Sequence, residues 1–188
     1  MEKHLKYIAL CGAPGTGKSE VQRILEQKYS VASFDDGNFL RKSVMSLYDL
    51  EEWHVTTQEG KATLIKIGDK EITVRKLMGD LGLHLEKYDP DFISRRALKD
   101  AMKQYPDKVV SFGSIRMNQG NIFKDTGHGI VVEVLRNGFE PVNSFDFYNK
   151  EIVDIQIKNP FDEQNVEQSL KELEYEIDKK LGHILKSL

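Results

Sequence analysis

The sequence predicts an α/β domain of three layers, with helices on both faces of a five-stranded, mostly parallel sheet. Three observations carry that expectation. Five short apolar runs, at residues 7–11, 31–34, 108–112, 129–135 and 151–157, are separated by stretches with helical spacing. Such alternation calls for crossover connections and parallel pairing. Between the first run and the first helical stretch stands a glycine-rich segment, Gly12-Ala13-Pro14-Gly15-Thr16-Gly17-Lys18-Ser19. Residues 63–74 alternate about a Gly-Asp turn, which is a hairpin pattern set into the alternation rather than part of it. The expectation is one domain over residues 1–188, in which 51–105 form an inserted hairpin and helices acting as a lid on the acceptor side.

The first strand is Tyr7-Ile8-Ala9-Leu10-Cys11, and the helix after the glycine-rich segment has Val21, Ile24, Leu25 and Lys28 at helical spacing. Gly12, Gly17, Lys18 and Ser19 between them satisfy G-x-x-x-x-G-K-[ST], the P-loop, in its strand–loop–helix context. Glycines let the backbone curl so that N–H groups point at phosphate oxygens. The following helix adds its positive end. Residues Gly12 to Ser19 are therefore the expected phosphate cradle, with Lys18 on the β- and γ-phosphates and the Ser19 hydroxyl on Mg²⁺. A glycine-rich turn without a ligand is the plain alternative, and eight matching positions with correct flanks stand against it.

Composition narrows the classes. The chain has 188 residues, a net charge of −3, 30% charged and 39% hydrophobic residues. That is enough length for one domain with a core, and it gives no overall basic footprint for nucleic acid. No apolar run has membrane-spanning length. Met1 to Lys6 lead straight into the first strand, which leaves no room for a signal peptide. The single cysteine, Cys11, excludes an internal disulfide and a cysteine metal cluster. A cytoplasmic protein is expected, with neither nucleic acid nor membrane as partner and a homodimer left open.

The remaining elements follow in order. Val31 to Phe34 is a second strand that ends in Asp35-Asp36-Gly37. Carboxylates at the carboxyl end of a strand face the ligand crevice, so Asp35 or Asp36 is placed to hold a magnesium-bound water or to orient an acceptor. Asp36 reads equally as the cap of the next helix. Arg41, one turn into that helix, is placed to clamp a phosphate with two hydrogen bonds, against the plainer reading of a solvated arginine. Val44, Met45, Leu47 and Tyr48 are expected to pack inward. Residues 51–60 break the pattern and read as a mobile loop, with Trp53-His54 as local packing or a lid contact.

After the hairpin, Arg75 opens another helical stretch and is placed toward a cleft. Asp89-Pro90 reads as N-cap and first position of a helix through Met102. Lys108 to Phe112, ending in Gly113-Ser114-Ile115-Arg116, is the third strand. Gly129 to Leu135, followed by Arg136, is the fourth; an arginine there reaches a phosphate or stacks on a base. Glu151 to Ile157 alternates and reads as an edge strand, followed by Lys158-Asn159-Pro160-Phe161, a loop whose backbone is placed to read a purine. A last helix carries Val166, Leu170, Leu173, Ile177, Leu181, Ile184 and Leu188 in one stripe, the pattern of core packing.

In this order the segments resemble the phage-type deoxynucleoside monophosphate kinases, within the wider nucleoside monophosphate kinase group of P-loop proteins, over nearly the full length. The P-loop is the specific part. Phe34 to Arg41 is similar to the acceptor-binding turn and helix of nucleotide kinases. Ile72 to Gly82 is similar to the segment in which an arginine precedes Leu-Leu-Gln and a glycine. Val109 to Arg116 is similar to a strand ending in Asp-Val-Arg, Gly129 to Arg136 to the next strand, and Asp154 to Asn159 to the last strand and base-side loop. The resemblance departs at Ser114, where an aspartate that helps hold the magnesium shell is usual. It departs again at Gly79, where glutamine is usual, and at Gly82-Leu83-His84, where Gly-Thr-Glu is usual.

The resemblance implies transfer of the ATP γ-phosphoryl group to a nucleoside monophosphate, with ATP and Mg²⁺ as cofactors. It implies catalytic roles for Lys18, Arg41, Arg116 and Arg136. Donor contacts would come from residues Gly12 to Ser19, Arg136 and Asn159. Acceptor contacts would come from Asp35, Asp36, Arg41, Arg75 and His84, and metal contacts from Ser19 and Asp35. Two other readings stand beside it: a P-loop kinase of a small hydroxyl metabolite, with Asp35 acting on the hydroxyl, and a nucleotide-binding regulatory module without turnover.

Overall fold

The computed structural model describes residues 5–142 and 144–186. Met1 to His4, and Leu188 of the expected helical stripe, lie outside the described residues. The chain forms two compact units, Met1–Asp36 with Ser94–Leu188, and Gly37–Ile93.

The larger unit is built on a parallel sheet. In chain order it contains β1 (Tyr7–Cys11), α1 (Lys18–Tyr29) and β2 (Ala32–Phe34). The second unit follows with α2 (Asn38–Tyr48), α3 (Glu52–Thr56), α4 (Gln58–Ala62), β3 (Leu64–Ile67), β4 (Lys70–Thr73) and α5 (Val74–Glu86). Then come α6 (Phe92–Gln104), β5 (Val110–Phe112), α7 (Asn121–Asp125), β6 (Gly129–Leu135), β7 (Ile155–Lys158) and α8 (Val166–Leu185). The sheet order is β2-β5-β1-β6-β7, with every pairing parallel. The expected α/β architecture with a five-stranded sheet is what the chain adopts, and β7 is an edge strand.

Two apolar layers explain why β1 is buried along its whole length. Ile8 and Leu10 face α1 and α8, packing with Val21, Leu25, Leu173 and Ile177. Tyr7, Ala9 and Cys11 face the other side and pack with Ala97, Phe112 and Phe123. A strand covered on both faces reads as a continuous apolar run. The parallel order leaves β1 flanked by β5 and β6, so the carboxyl ends of β1, β2, β5, β6 and β7 gather at one pole, where α/β proteins bind ligands.

The second unit has its own small core of Val44, Val55, Val74 and Leu77, with the antiparallel β3–β4 hairpin in the register expected of a Gly-Asp turn. Its bounds are 37–93 rather than 51–105: Ala97 and Ala101 of α6 belong to the sheet's core, while Val44 of α2 belongs to this one. Residues 51–60 are two short helices rather than a loop. Each is five residues long and fixed by capping, with Glu51 and His54 capping α3 reciprocally and Thr57 accepting from the Gly60 N–H. Helices this short leave no visible period. Trp53 stacks on His54 at 3.9 Å, which is local packing. Leu47 and Tyr48 are exposed rather than inward; the buried stripe of α2 is Leu40 and Val44, and Asp49 ends the helix in a left-handed conformation.

Three further boundaries move. Asp89 caps a turn, accepting from the Asp91 N–H at 3.1 Å, and α6 starts at Phe92. β5 starts at Val110, after a turn closed by Lys108 and Tyr105. Residues 150–152 form a 3-10 turn where the fifth strand was expected to begin. Among the described residues no helix is long and apolar enough to cross a membrane.

Candidate active site

The P-loop turns out of β1 through three glycines with positive φ: Gly12 at 141°, Gly15 at 83° and Gly17 at 95°. Space is as restrictive as conformation. A Cβ on Gly12 would lie 2.4 Å from the Val134 carbonyl oxygen, and one on Gly17 would lie 2.2 Å from Asn159 Nδ2. Thr16 is buried and its hydroxyl donates to the Ala13 carbonyl at 3.0 Å. Gly17 is the N-cap of α1 and provides no side-chain cap, which leaves the helix start to an anion.

Lys18 folds back over the loop. Its ammonium donates to the carbonyls of Gly12 at 2.7 Å and Ala13 at 2.8 Å. Burial, reinforced by the Arg116 charge, lowers its pKa to about 8, against the pull of Cys11, Asp146 and Asp36. Ser19 is exposed on the first turn of α1.

The acidic turn after β2 divides its two carboxylates. Asp35 is exposed and Asp36 is buried. Asp36 accepts from the Gly113 N–H at 3.2 Å. Burial pushes its pKa up, opposed by backbone N–H groups and by the Arg116 charge. Arg116, just beyond β5, pairs with buried Asp146. Its own backbone N–H donates to buried Gln119 Oε1 at 2.9 Å. Asp36, Arg116, Asp146 and Lys18 thus form one charged group at the carboxyl pole of the sheet.

The other side of the P-loop is aromatic. The Arg136 guanidinium lies 4.4 Å from the Phe139 ring centre and 4.5 Å from that of Phe161. Asn159 donates from Nδ2 to the Thr16 carbonyl at 2.8 Å and accepts from the Phe161 N–H at 3.1 Å. A cavity of about 450 Å³ opens here, with Gly17, Arg136, Asn159, Phe161, Leu170 and Leu173 in its wall. Its size and mainly apolar wall with a few polar groups suit a small ligand.

Of the expected residues, the structure brings together residues 12–19, Asp35, Asp36, Arg116, Arg136 and Asn159 at the carboxyl ends of the strands. Arg41, Arg75 and His84 belong to the second unit. There Arg75 donates to Gln58 Oε1, and His84 is exposed with its ring edge-on to Tyr88. Residues that sequence reasoning did not single out are Asp146, Phe139, Glu133 and Tyr148. Glu133 was the detectable one: a charge inside the apolar run Gly129 to Leu135 must be paired. It is, accepting from Tyr148 Oη at 2.5 Å and Gln156 Nε2 at 2.6 Å.

No family model matches the chain, and no curated protein matches it. Among solved structures it is similar to a dephospho-CoA kinase from Campylobacter jejuni, at 14% identity and TM-score 0.43, covering 92% of this chain and 97% of that one. It is also similar to an APS kinase from Mycobacterium tuberculosis, at 14% identity and TM-score 0.43, covering 93% and 98%. A shikimate kinase from Aquifex aeolicus gives 17% identity and TM-score 0.40, covering 92% and 96%. Likenesses at this level carry no weight for function, which rests on the geometry of the chain itself.

Proposed function

We propose that the chain is an ATP-dependent phosphotransferase with a nucleoside monophosphate as acceptor. The observation that supports phosphotransfer is Lys18, held on a three-glycine P-loop at the end of the central strand, with Asp36, Arg116 and Asp146 acting on its charge. Phosphoryl transfer asks a protein for alignment and for neutralisation of charge on the moving group. Lys18 bridges the donor phosphates and Arg116 closes on the transferring group. The cavity beside Arg136, Asn159 and Phe161 receives the donor base, which stacks on the guanidinium or an aromatic ring.

The chain's residues fit a magnesium ion. Ser19 at the start of α1 and the carboxylates of Asp35 and Asp36 are hard oxygen donors, and a cation of this type is held by one or two carboxylates together with substrate phosphates. When bound it neutralises charge on the donor phosphates. Arg41 and Arg75 are assigned to the acceptor phosphate, and His84 to the acceptor side, from the sequence resemblance alone.

A second reading has its own observation. Asp36 is a buried carboxylate with a raised pKa at a strand end, a suitable base for a hydroxyl acceptor, whereas an acceptor phosphate is already ionised near neutral pH. The test is a coupled assay with Mg·ATP against ribo- and deoxynucleoside monophosphates and a set of polyols and hydroxy acids. Turnover on nucleotides supports the first reading. Turnover on a hydroxyl acceptor, with a loss of about 10²- to 10⁴-fold in Asp36→Asn, supports the second. Nucleotide binding without turnover on any acceptor sinks both and leaves a nucleotide-binding module.

A further inference from the structure

Phosphotransfer as drawn gives the buried carboxylate of Asp146 no contact with substrate or cation. Asp146 is 3% exposed and lies between β6 and β7 on a short 3-10 turn. Its Oδ1 is held by Arg116 Nη1. Its Oδ2 is buried and has no hydrogen-bond partner among the described residues. The hydroxyls of Ser33 and Ser94 share that condition, but an unsatisfied ionised oxygen is far more costly than a hydroxyl.

The turn cannot easily release this carboxylate to solvent. Met117 and Tyr148 form a β-bridge. The Met117 N–H donates to the Phe147 carbonyl at 2.6 Å, and the Asn149 N–H to the Met117 carbonyl at 2.9 Å. Tyr148 is tied to Glu133 within the sheet. The three residues that follow Asp146 are therefore anchored to the sheet and to Met117. The ion pair of Asp146 with Arg116, just beyond β5, places it at the carboxyl pole of the sheet.

Donors are needed at Oδ2, and the waters of a magnesium ion are donors. Among the described residues no three His, Cys, Asp or Glu side chains converge on a metal cage, so a cation there arrives with the nucleotide. The position after β5 where the resemblance expects an acid is Ser114. Asp36 has Oδ1 engaged by the Gly113 N–H.

We infer that Asp146 Oδ2 accepts a hydrogen bond from the water shell of the magnesium ion accompanying the donor nucleotide, supplying the acid that is missing at Ser114 while Arg116 holds the other oxygen. The inference rests on the nucleotide-binding reading. Asp146 is a positioning residue: it touches the cation's water and not the reacting atoms.

The test is calorimetric binding of ADP to the full chain, with Mg²⁺ and with EDTA. Wild type is expected to bind more tightly with Mg²⁺. Asp146→Asn is expected to lose about 10- to 100-fold of that gain, the usual cost of removing an outer-shell partner, while its affinity in EDTA stays the same or improves. An unchanged gain in Asp146→Asn overturns the inference. So does an equal loss with and without Mg²⁺, which would make Asp146 only a support for Arg116. A wild type that binds ADP with no gain from Mg²⁺ overturns it too. A wild type that does not bind ADP at all removes the nucleotide reading, and this inference falls with it. If Asp146→Asn is poorly folded, the double variant Arg116→Met/Asp146→Asn removes both members of the ion pair together, which proteins tolerate better than the loss of one. The gain must be lost there as well.

Discussion

Nucleotide binding should draw a proton onto Lys18 when the solution is alkaline. The folded chain without ligand gives up the Lys18 proton near pH 8, while an unburied lysine holds it to 10.5. Phosphates beside the ammonium restore the charged form, so binding above pH 8 must include proton uptake. At pH 7 the lysine is already mostly protonated and uptake is close to zero. At pH 9 it approaches one proton, and affinity falls roughly tenfold for each pH unit above 8. Calorimetry of ADP binding in buffers of different ionisation enthalpy reads both numbers. Lys18→Met should abolish the uptake. Lys18→Arg should abolish it too, because a guanidinium stays charged. The same shift acts on stability. The unfolded chain binds more protons than the folded one between pH 8 and 10.5, so this group's contribution rises with pH across that window. Against Lys18→Met, wild type should gain about 2 kcal/mol between pH 7 and pH 10. Affinity that is flat from pH 7 to 9.5 with no proton uptake refutes the picture of a buried, half-neutralised lysine.

Gly17→Ala places a methyl against Asn159 at a residue with φ of 95°; nucleotide affinity should drop by more than about tenfold, with about 1–3 kcal/mol lost in stability, read by calorimetry and urea unfolding. Tyr148→Phe leaves Glu133 Oε1 without its hydroxyl donor in a buried sheet; the expected cost is about 1–3 kcal/mol, or a Tm lower by roughly 2–10 °C. Phe123→Ala removes a fully buried ring that meets Phe112 at 4.5 Å, with about 3–5 kcal/mol expected from denaturant unfolding.

How much of this was legible in the sequence depended on period and on local constraint. β1 and β6 were readable because burial on both faces makes them continuous apolar runs. α8 was readable because twenty residues of amphipathic helix show their stripe. The P-loop was readable because its φ angles and close contacts admit only glycine at particular positions. α3 and α4 were not, since five residues held by caps have no period to detect. Asp146 was not either. It lies in the irregular stretch between β6 and β7, and its burial depends on a bridge to Met117 and an ion pair to Arg116, thirty residues away in sequence. Asp35 and Asp36 were adjacent and indistinguishable as letters; only the backbone after β2, which aims one at the Gly113 N–H and the other outward, separates them.

That separation bears on the departure at Ser114. An acid at the end of β5 would sit beside Asp36, whose carboxylate already lies against the Gly113 N–H. Two carboxylates sharing that spot would raise one another's pKa and keep one protonated. With serine there, Asp36 remains the acid that lies against the Gly113 N–H. Arg116 stands in both fields: it opposes the burial that raises the pKa of Asp36, and it pairs with Asp146. Burial first, and then the positive charge of Arg116, lower the Lys18 pKa to about 8. Ser114→Asp, far from repairing the site, should therefore weaken Mg·nucleotide binding by crowding Asp36.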